Sequence, residues 1–190
     1  MLKRLSISAA IFATMTAPAF AHLNPAEHGS FMSGLTHPLS GADHMLTMIA
    51  VGLWAAQIGG KARWVMPAAF VSIMAIGFIL ALIGAPLPFV EPGIMASVIG
   101  LGLLVALAVR VPVAVSATIV GIFALFHGHA HGGELGTATA LSFGLGFVMA
   151  TALLHALGLG LGMLVGGRNQ IVTRILGAAT ALGGAALVLS

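Results

Sequence analysis

Of 190 residues, 59% are apolar and 6% are charged, against roughly 25% charged in a soluble domain, so too little polar surface exists to cover a water-soluble particle. Cysteine is absent, which excludes disulfides and thiolate metal sites. The formal charge of +3 becomes +1 (five cations against four acids) once Lys3 and Arg4 are set aside with a leader, and that balance gives no footing for a nucleic-acid partner.

Lys3 and Arg4 precede a small, apolar stretch that ends at Pro18 and Ala19-Phe20-Ala21, the layout of a secretory signal peptide over residues 1–21 with cleavage after Ala21. The alternative is an uncleaved helical anchor. Either way the following residues lie outside the cytoplasm. Cleavage leaves His22 as a free terminus, whose amine and imidazole together are able to chelate a divalent ion.

Beyond the leader, residues 22–190 read as one transmembrane domain. Apolar stretches lie at about 31–57, 64–83, 91–109, 111–130, 136–165 and 171–189. At about 20 residues per crossing, these predict an all-α integral membrane protein, a bundle of six transmembrane helices. The fifth stretch exceeds what one straight crossing needs, so it starts in a loop or is tilted. Lys61, Arg63, Arg110, Arg168 and Arg174 fall in alternate loops, whereas Glu27, Glu91 and Glu134 fall in the others. The positive-inside bias then puts both mature termini in the periplasm of a bacterium and the cationic loops in the cytoplasm. Trp54 and Trp64 flank the first cationic loop, where amphipathic rings settle at the headgroups. The 26 glycines are expected to let helices pack closely, since lipid provides no hydrophobic drive for association.

Three places carry residues that such stretches should not contain. In the first, His37-Pro38-Leu39-Ser40-Gly41-Ala42-Asp43-His44 puts a carboxylate and two imidazoles into an apolar span. A carboxylate near the bilayer centre costs about 2.5–3.5 kcal/mol on insertion scales, so Asp43 requires a partner or a wet cavity. His37 and His44 are seven apart, a rise of about 10.5 Å on an unbroken helix, too far to share one ion easily. Pro38 and Gly41 between them are able to kink or unwind the turn and close that gap. A plainer reading starts the helix after Pro38 and bonds a neutral Asp43 to a neighbouring helix.

The second place is Phe126-His127-Gly128-His129-Ala130-His131-Gly132-Gly133-Glu134. On a helix, His127, His131 and Glu134 form one stripe, and two imidazoles one turn apart are a common divalent-metal arrangement. His129 points elsewhere. The plainer alternative is a His-rich external loop that scavenges metal or senses pH. The third is His155, alone deep in the fifth span, a ligand or an interhelical hydrogen-bonding residue. Counted by depth, His22, His28, His37, His127, His131 and Glu134 form an external group, and Asp43, His44 and His155 an inner one.

At these residues the sequence closely resembles the HupE/UreJ family of hydrogenase and urease accessory membrane proteins, regarded as nickel permeases. His37-Pro38-x-x-Gly41-x-Asp43-His44 and His127-Gly128-x-Ala130-His131-Gly132-x-Glu134 carry the resemblance, which covers essentially the whole mature chain. It implies metal-binding roles for His37, Asp43, His44, His127, His131 and Glu134, and for His22 from its terminal placement. The H-x5-D-H arrangement also resembles the H-x4-D-H signature of nickel/cobalt transporters, with a spacing one longer.

Imidazole and carboxylate suit nickel, cobalt, zinc, iron or oxidised copper, and Met45 and Met48 beside Asp43 add soft donors; nickel as the cargo therefore rests on the resemblance. No phosphate-cradling sequence is present, so an inward gradient must drive entry, and the membrane potential supplies about 4.6 kcal/mol per 100 mV for a divalent ion. The expected function is thus a non-enzymatic permease of the inner membrane that carries a divalent metal from periplasm to cytoplasm for hydrogenase or urease maturation. Three alternatives stand beside it: an intramembrane metal-dependent hydrolase, a metal-binding or sensing accessory protein, and bis-histidine haem ligation.

Overall fold

The structure, a computed structural model, describes residues 25–135, 138–166 and 170–189, with side chains from residue 30 onward. The expected leader over 1–21, its cleavage after Ala21, His22, the side chain of His28 and Arg168 lie outside the described residues. Those residues form seven helices and no strand: α1 Pro25–Ser40, α2 Ala42–Ile58, α3 Ala62–Leu82, α4 Val90–Ala106, α5 Val113–Gly133, α6 Ala140–Val165 and α7 Ile171–Leu189. Four of them, α3, α5, α6 and α7, are long and apolar enough to cross a membrane, and α4 is a shorter apolar helix. With 26 residues, α6 runs for about 39 Å at 1.5 Å per residue, longer than a bilayer core of about 30 Å.

Where one stretch is expected over Phe31–Gln57, the structure has two helices that meet at Gly41. Pro38 lies in the last turn of α1, and Gly41 takes an extended conformation (φ −101°, ψ 121°). Two residues on, Asp43 Oδ1 accepts the backbone N–H of His44 at 2.9 Å, partnering a first-turn donor that has no intrahelical acceptor. The break thus removes the constraint that would hold His37 and His44 two turns apart on one rod.

Polarity is turned inside out relative to a soluble bundle. Leu141, Leu164, Leu182 and Leu189 are more than two-thirds exposed, whereas His44, Thr47, Gln57, Ser97, His127, His131, Thr151 and His155 are buried. An apolar skin over hydroxyls and imidazoles is the arrangement that lipid demands, because exposed polar groups there find no water. At the centre is α2, ten of whose 17 residues are buried and which packs against every other helix.

Glycines bring the backbones together. The close pairs are α3 with α5, α2 with α6, α4 with α7 and α1 with α6. A Cβ at Gly128 would collide with the Met74 carbonyl, one at Gly132 with the Phe78 carbonyl, and one at Gly158 with the Ile49 carbonyl. On α5 these glycines turn the small face toward α3, which leaves His127 and His131 to point away from that contact and into the interior.

The two ends of the bundle differ. At one end Gln57 Nε2 donates to the Val105 carbonyl at 3.0 Å and Arg174 Nε to Ala106 at 2.8 Å, in the last turn of α4, and Trp54 Nε1 donates to the Val109 carbonyl just beyond it at 2.9 Å. Lys61 in the turn before α3, Arg63 in the first turn of α3 and Arg110 in the loop after α4 lie at this end. Trp54 is fully buried there while Trp64 is 75% exposed; the expectation that both rings flank the loop at the surface therefore holds for Trp64 alone, because Trp54 turns inward to the Val109 carbonyl. The opposite end gathers the Gly41 break, Glu91 and Glu134.

The packing predicts an asymmetric response to adding a methyl group or more. Gly128→Val should cost at least the roughly 1–3 kcal/mol of an overpacked core and lower the yield of folded protein. Gly160→Ala, where nothing lies within 4 Å of the new Cβ, should change thermal stability by no more than about 1 kcal/mol. Thermal melts in detergent check both.

Candidate metal centre

The acidic end of the bundle holds a cavity of about 230 Å³ lined by His37, Asp43, His44, Glu91, His131 and Glu134, with Ser40, Gly41, Ile94 and Ala130 between them. Three donors lie at its outer side. His37 arrives from the last turn of α1, His131 from the last turn of α5, and Glu134 from the residue just past Gly133 that ends α5. One ligand atom from each lies within 4.8 Å of the others. Bonds to a bound transition ion of about 2.0–2.2 Å allow at most about 4.4 Å between ligand atoms, so the set needs to contract by only a few tenths of an ångström. His37 Nε2 lies 3.1 Å from Glu134 Oε2, and His131 Nδ1 lies 3.7 Å from the same oxygen. The carboxylate accepts from His37 Nε2–H, and a cation taking its place would displace that proton.

Behind this group the imidazoles continue inward. The His37 ring meets His131 edge-on at 4.6 Å between centroids, His131 meets His44 at 4.3 Å, and His44 meets His127 at 90° and 4.6 Å. Phe70 then touches both His127, at 5.8 Å, and His155, at 4.9 Å. His37 and His44 thus do not meet directly, but the break at Gly41 lets both reach His131. His127 corrects the expected depths: instead of lying with the external donors it lies beside His44. A helix that ends at Gly133 places His127 nearly two turns below the end, deeper than a count from Val111 at the inner face suggests.

The charges are arranged to leave ring nitrogens bare. Asp43 Oδ1 accepts from His44 Nδ1 at 2.9 Å as well as from its backbone N–H, so Asp43 bonds within its own helix, and His44 Nε2 is left as a lone pair. His44 Nε2, His127 Nδ1, both nitrogens of His131 and both nitrogens of His155 are buried without a hydrogen-bond partner. A buried neutral imidazole carries one N–H and one lone pair and ordinarily finds partners for both; His131 and His155 leave both unpaired, and one bare lone pair per ring, from rings on three helices, is a donor set that a transition ion takes. His129 differs. Its Nε2–H donates to the Ala85 carbonyl at 2.8 Å, which ties it to the turn after α3 and away from the column.

Four further residues belong to the site without having been singled out by sequence. Glu91 lines the cavity but reads in the chain as a loop acid. Ser97 binds His127 Nε2 at 2.8 Å and Thr47 binds Ser97 at 3.0 Å; hydroxyls in apolar helices carry no distinguishing signal. Phe70 is one of ten phenylalanines, and only its contacts mark it.

Comparison with known proteins agrees with the residues. The family model for HupE / UreJ proteins matches residues 10–187. Protein HupE of Rhizobium leguminosarum bv. viciae is similar, 49% identical over 180 residues that cover 93% of this chain and 94% of that protein. No solved structure matches the chain.

The geometry predicts that His131, shared by the outer group and the column, matters most for divalent-ion binding. His131→Ala should weaken nickel binding to the purified protein by more than the roughly 10- to 100-fold that outer partners of a ligand cost. His129→Ala should leave affinity within about threefold, with a loss of stability near the roughly 1 kcal/mol of one hydrogen bond. Titration calorimetry and melting in detergent separate the two.

Proposed function

The chain belongs to the HupE/UreJ family, and from that premise and the buried column of imidazoles we propose that it is a permease that moves a divalent transition metal, nickel foremost, from periplasm to cytoplasm. The observation that carries the proposal is the set of unpartnered ring nitrogens on His44, His127, His131 and His155 inside a bundle with an apolar skin. A static binding protein needs one such site near its surface. Here donors follow one another from a half-exposed carboxylate at Glu134 to the interior at His155.

In this reading α1 and α2 together make one discontinuous crossing. With α3, α4, α5, α6 and α7 the bundle then crosses six times. The cationic loops lie in the cytoplasm by the positive-inside bias, and the cavity opens to the periplasm. His37, His131 and Glu134 take the hydrated ion and replace its waters. Glu91 and Glu134 give the mouth a negative field that concentrates cations. Asp43 holds His44 in the orientation that offers Nε2, as a carboxylate behind a ligating imidazole does, and its charge offsets that of the ion. Passage to His155 requires the Phe70 ring to move, since Phe70 touches the imidazoles on both sides of it. Hydrogenase or urease maturation is the destination that the family's accessory role suggests. Nickel is preferred over cobalt, zinc, iron or copper on the family alone, because the donor set accepts them all.

The hydrolase alternative places a zinc-bound water beside a carboxylate base. The carboxylate nearest the inner imidazoles, Asp43, accepts both the ring N–H and the backbone N–H of His44 through Oδ1, which favours an orienting role.

Uptake of a panel of divalent ions by cells that express the chain tests the reading. Asp43→Asn and His44→Ala should each abolish accumulation while the protein still inserts in the membrane. Undiminished uptake by Asp43→Asn would remove that residue from the path.

A further inference from the structure

The hydrogen bonds behind His127 determine which of its two ring nitrogens is bare. Ser97 Oγ lies 2.6 Å from the Ile94 carbonyl oxygen, a group that can only accept. The one hydroxyl hydrogen of Ser97 is therefore directed back along α4, and any other polar atom at Ser97 Oγ must bring its own hydrogen. Two do so: Thr47 Oγ1 at 3.0 Å and His127 Nε2 at 2.8 Å. All three side chains are buried, so water does not compete for them. His127 Nε2 accordingly carries the hydrogen, and Nδ1, which has no hydrogen-bond partner, is a bare lone pair. The opposite tautomer would bury an N–H donor with no acceptor and set two lone pairs against each other at Ser97, or break its bond to Ile94.

We propose that Ser97, itself held by Thr47, is a positioning residue that locks His127 in its Nε2–H tautomer and thereby presents Nδ1 as the donor to a divalent cation. The cation half of this statement rests on the permease reading; the tautomer half does not. His44 is set in the opposite sense by Asp43, which takes Nδ1–H and leaves Nε2 bare. Two perpendicular rings 4.6 Å apart thus offer different nitrogens, Nε2 of His44 and Nδ1 of His127, each set by a hydrogen bond to the other nitrogen of its ring. A ligand whose tautomer is preset loses no population to the wrong form when the ion arrives, which is how partners behind a metal ligand raise affinity.

The test uses the full chain labelled with [15N]histidine in lipid nanodiscs, metal-free at neutral pH, with His127 assigned by the signals lost in His127→Gln. Bare and protonated ring nitrogens resonate far apart. The unaltered chain should show a protonated Nε2 and a bare Nδ1 at His127, Ser97→Ala should convert these to a mixture of tautomers, and Ser97→Thr should restore the original pattern. Nickel binding, with the metal ion alone as probe, should weaken about 10- to 100-fold in Ser97→Ala and recover in Ser97→Thr. A protonated Nδ1 at His127 in the unaltered chain overturns the proposal without any variant, as does an unchanged spectrum in folded Ser97→Ala. A tautomer that shifts while nickel affinity stays constant overturns the cation half. Failure of the unaltered chain to bind nickel at all contradicts the permease reading, and the spectrum still decides the role of Ser97.

Discussion

A polar atom buried away from water must find a partner or destabilise the fold, and this bundle buries ring nitrogens of four histidines that find none. Among the described residues two other buried side-chain atoms, Gln57 Oε1 and Thr173 Oγ1, also lack a partner, but most polar groups of the interior find one. Thr47 and Ser97 bond to each other, Trp54 reaches the Val109 carbonyl and the Gln57 amide nitrogen that of Val105, and His129 reaches the Ala85 carbonyl. The unpartnered imidazoles are thus concentrated along a single path between the acidic end and His155. Their lone pairs are open on the inside of a structure whose outside is hydrocarbon-like, and a cation is the solute that would make such an arrangement worth its cost.

The scaffold builds the path with few devices. The break at Gly41 separates the first long apolar stretch into α1 and α2, so that His37 and His44 approach the same ring from different helices. Gly128 and Gly132 press α5 onto α3 and fix the direction of His127 and His131. Asp43 and Ser97 each take the hydrogen of one ring nitrogen, which leaves the other free. The acids of the mouth, Glu91 and Glu134, lie at the end of the bundle opposite Lys61, Arg63, Arg110 and Arg174, so the fixed charges draw a cation to the acidic mouth, and no Lys or Arg stands among the imidazoles of the column.

Much of this was legible in the chain because ionisable residues in apolar stretches are costly and hence conspicuous. Asp43 and His44 stand out for that reason, and the spacing of His127, His131 and Glu134 places them on one side of a helix end. The apolar stretches themselves announce helices, with Pro38 and Gly41 marking the weak point of the first. Depth and direction were harder. Counted from Val111 at the inner face, His127 falls with the external donors; measured back from the end of α5 at Gly133 it lies nearly two turns deeper. Trp54 looked like an interfacial ring until its indole found the Val109 carbonyl. Ser97 and Thr47 escape any reading of one sequence, because small hydroxyl residues are common in apolar helices and differ only in what lies across from them. Phe70 is equally silent, one aromatic among many until its contacts with His127 and His155 are known.

Purified protein reconstituted into tight liposomes, with a divalent-metal indicator inside and an imposed potential negative on the indicator side, tests the central claim most directly. The account predicts nickel entry that grows with the potential, as the transfer of uncompensated positive charge requires, and that is lost when His131 or His155 is replaced. Vesicles that admit none of the transition metals, although they contain folded protein, would contradict it.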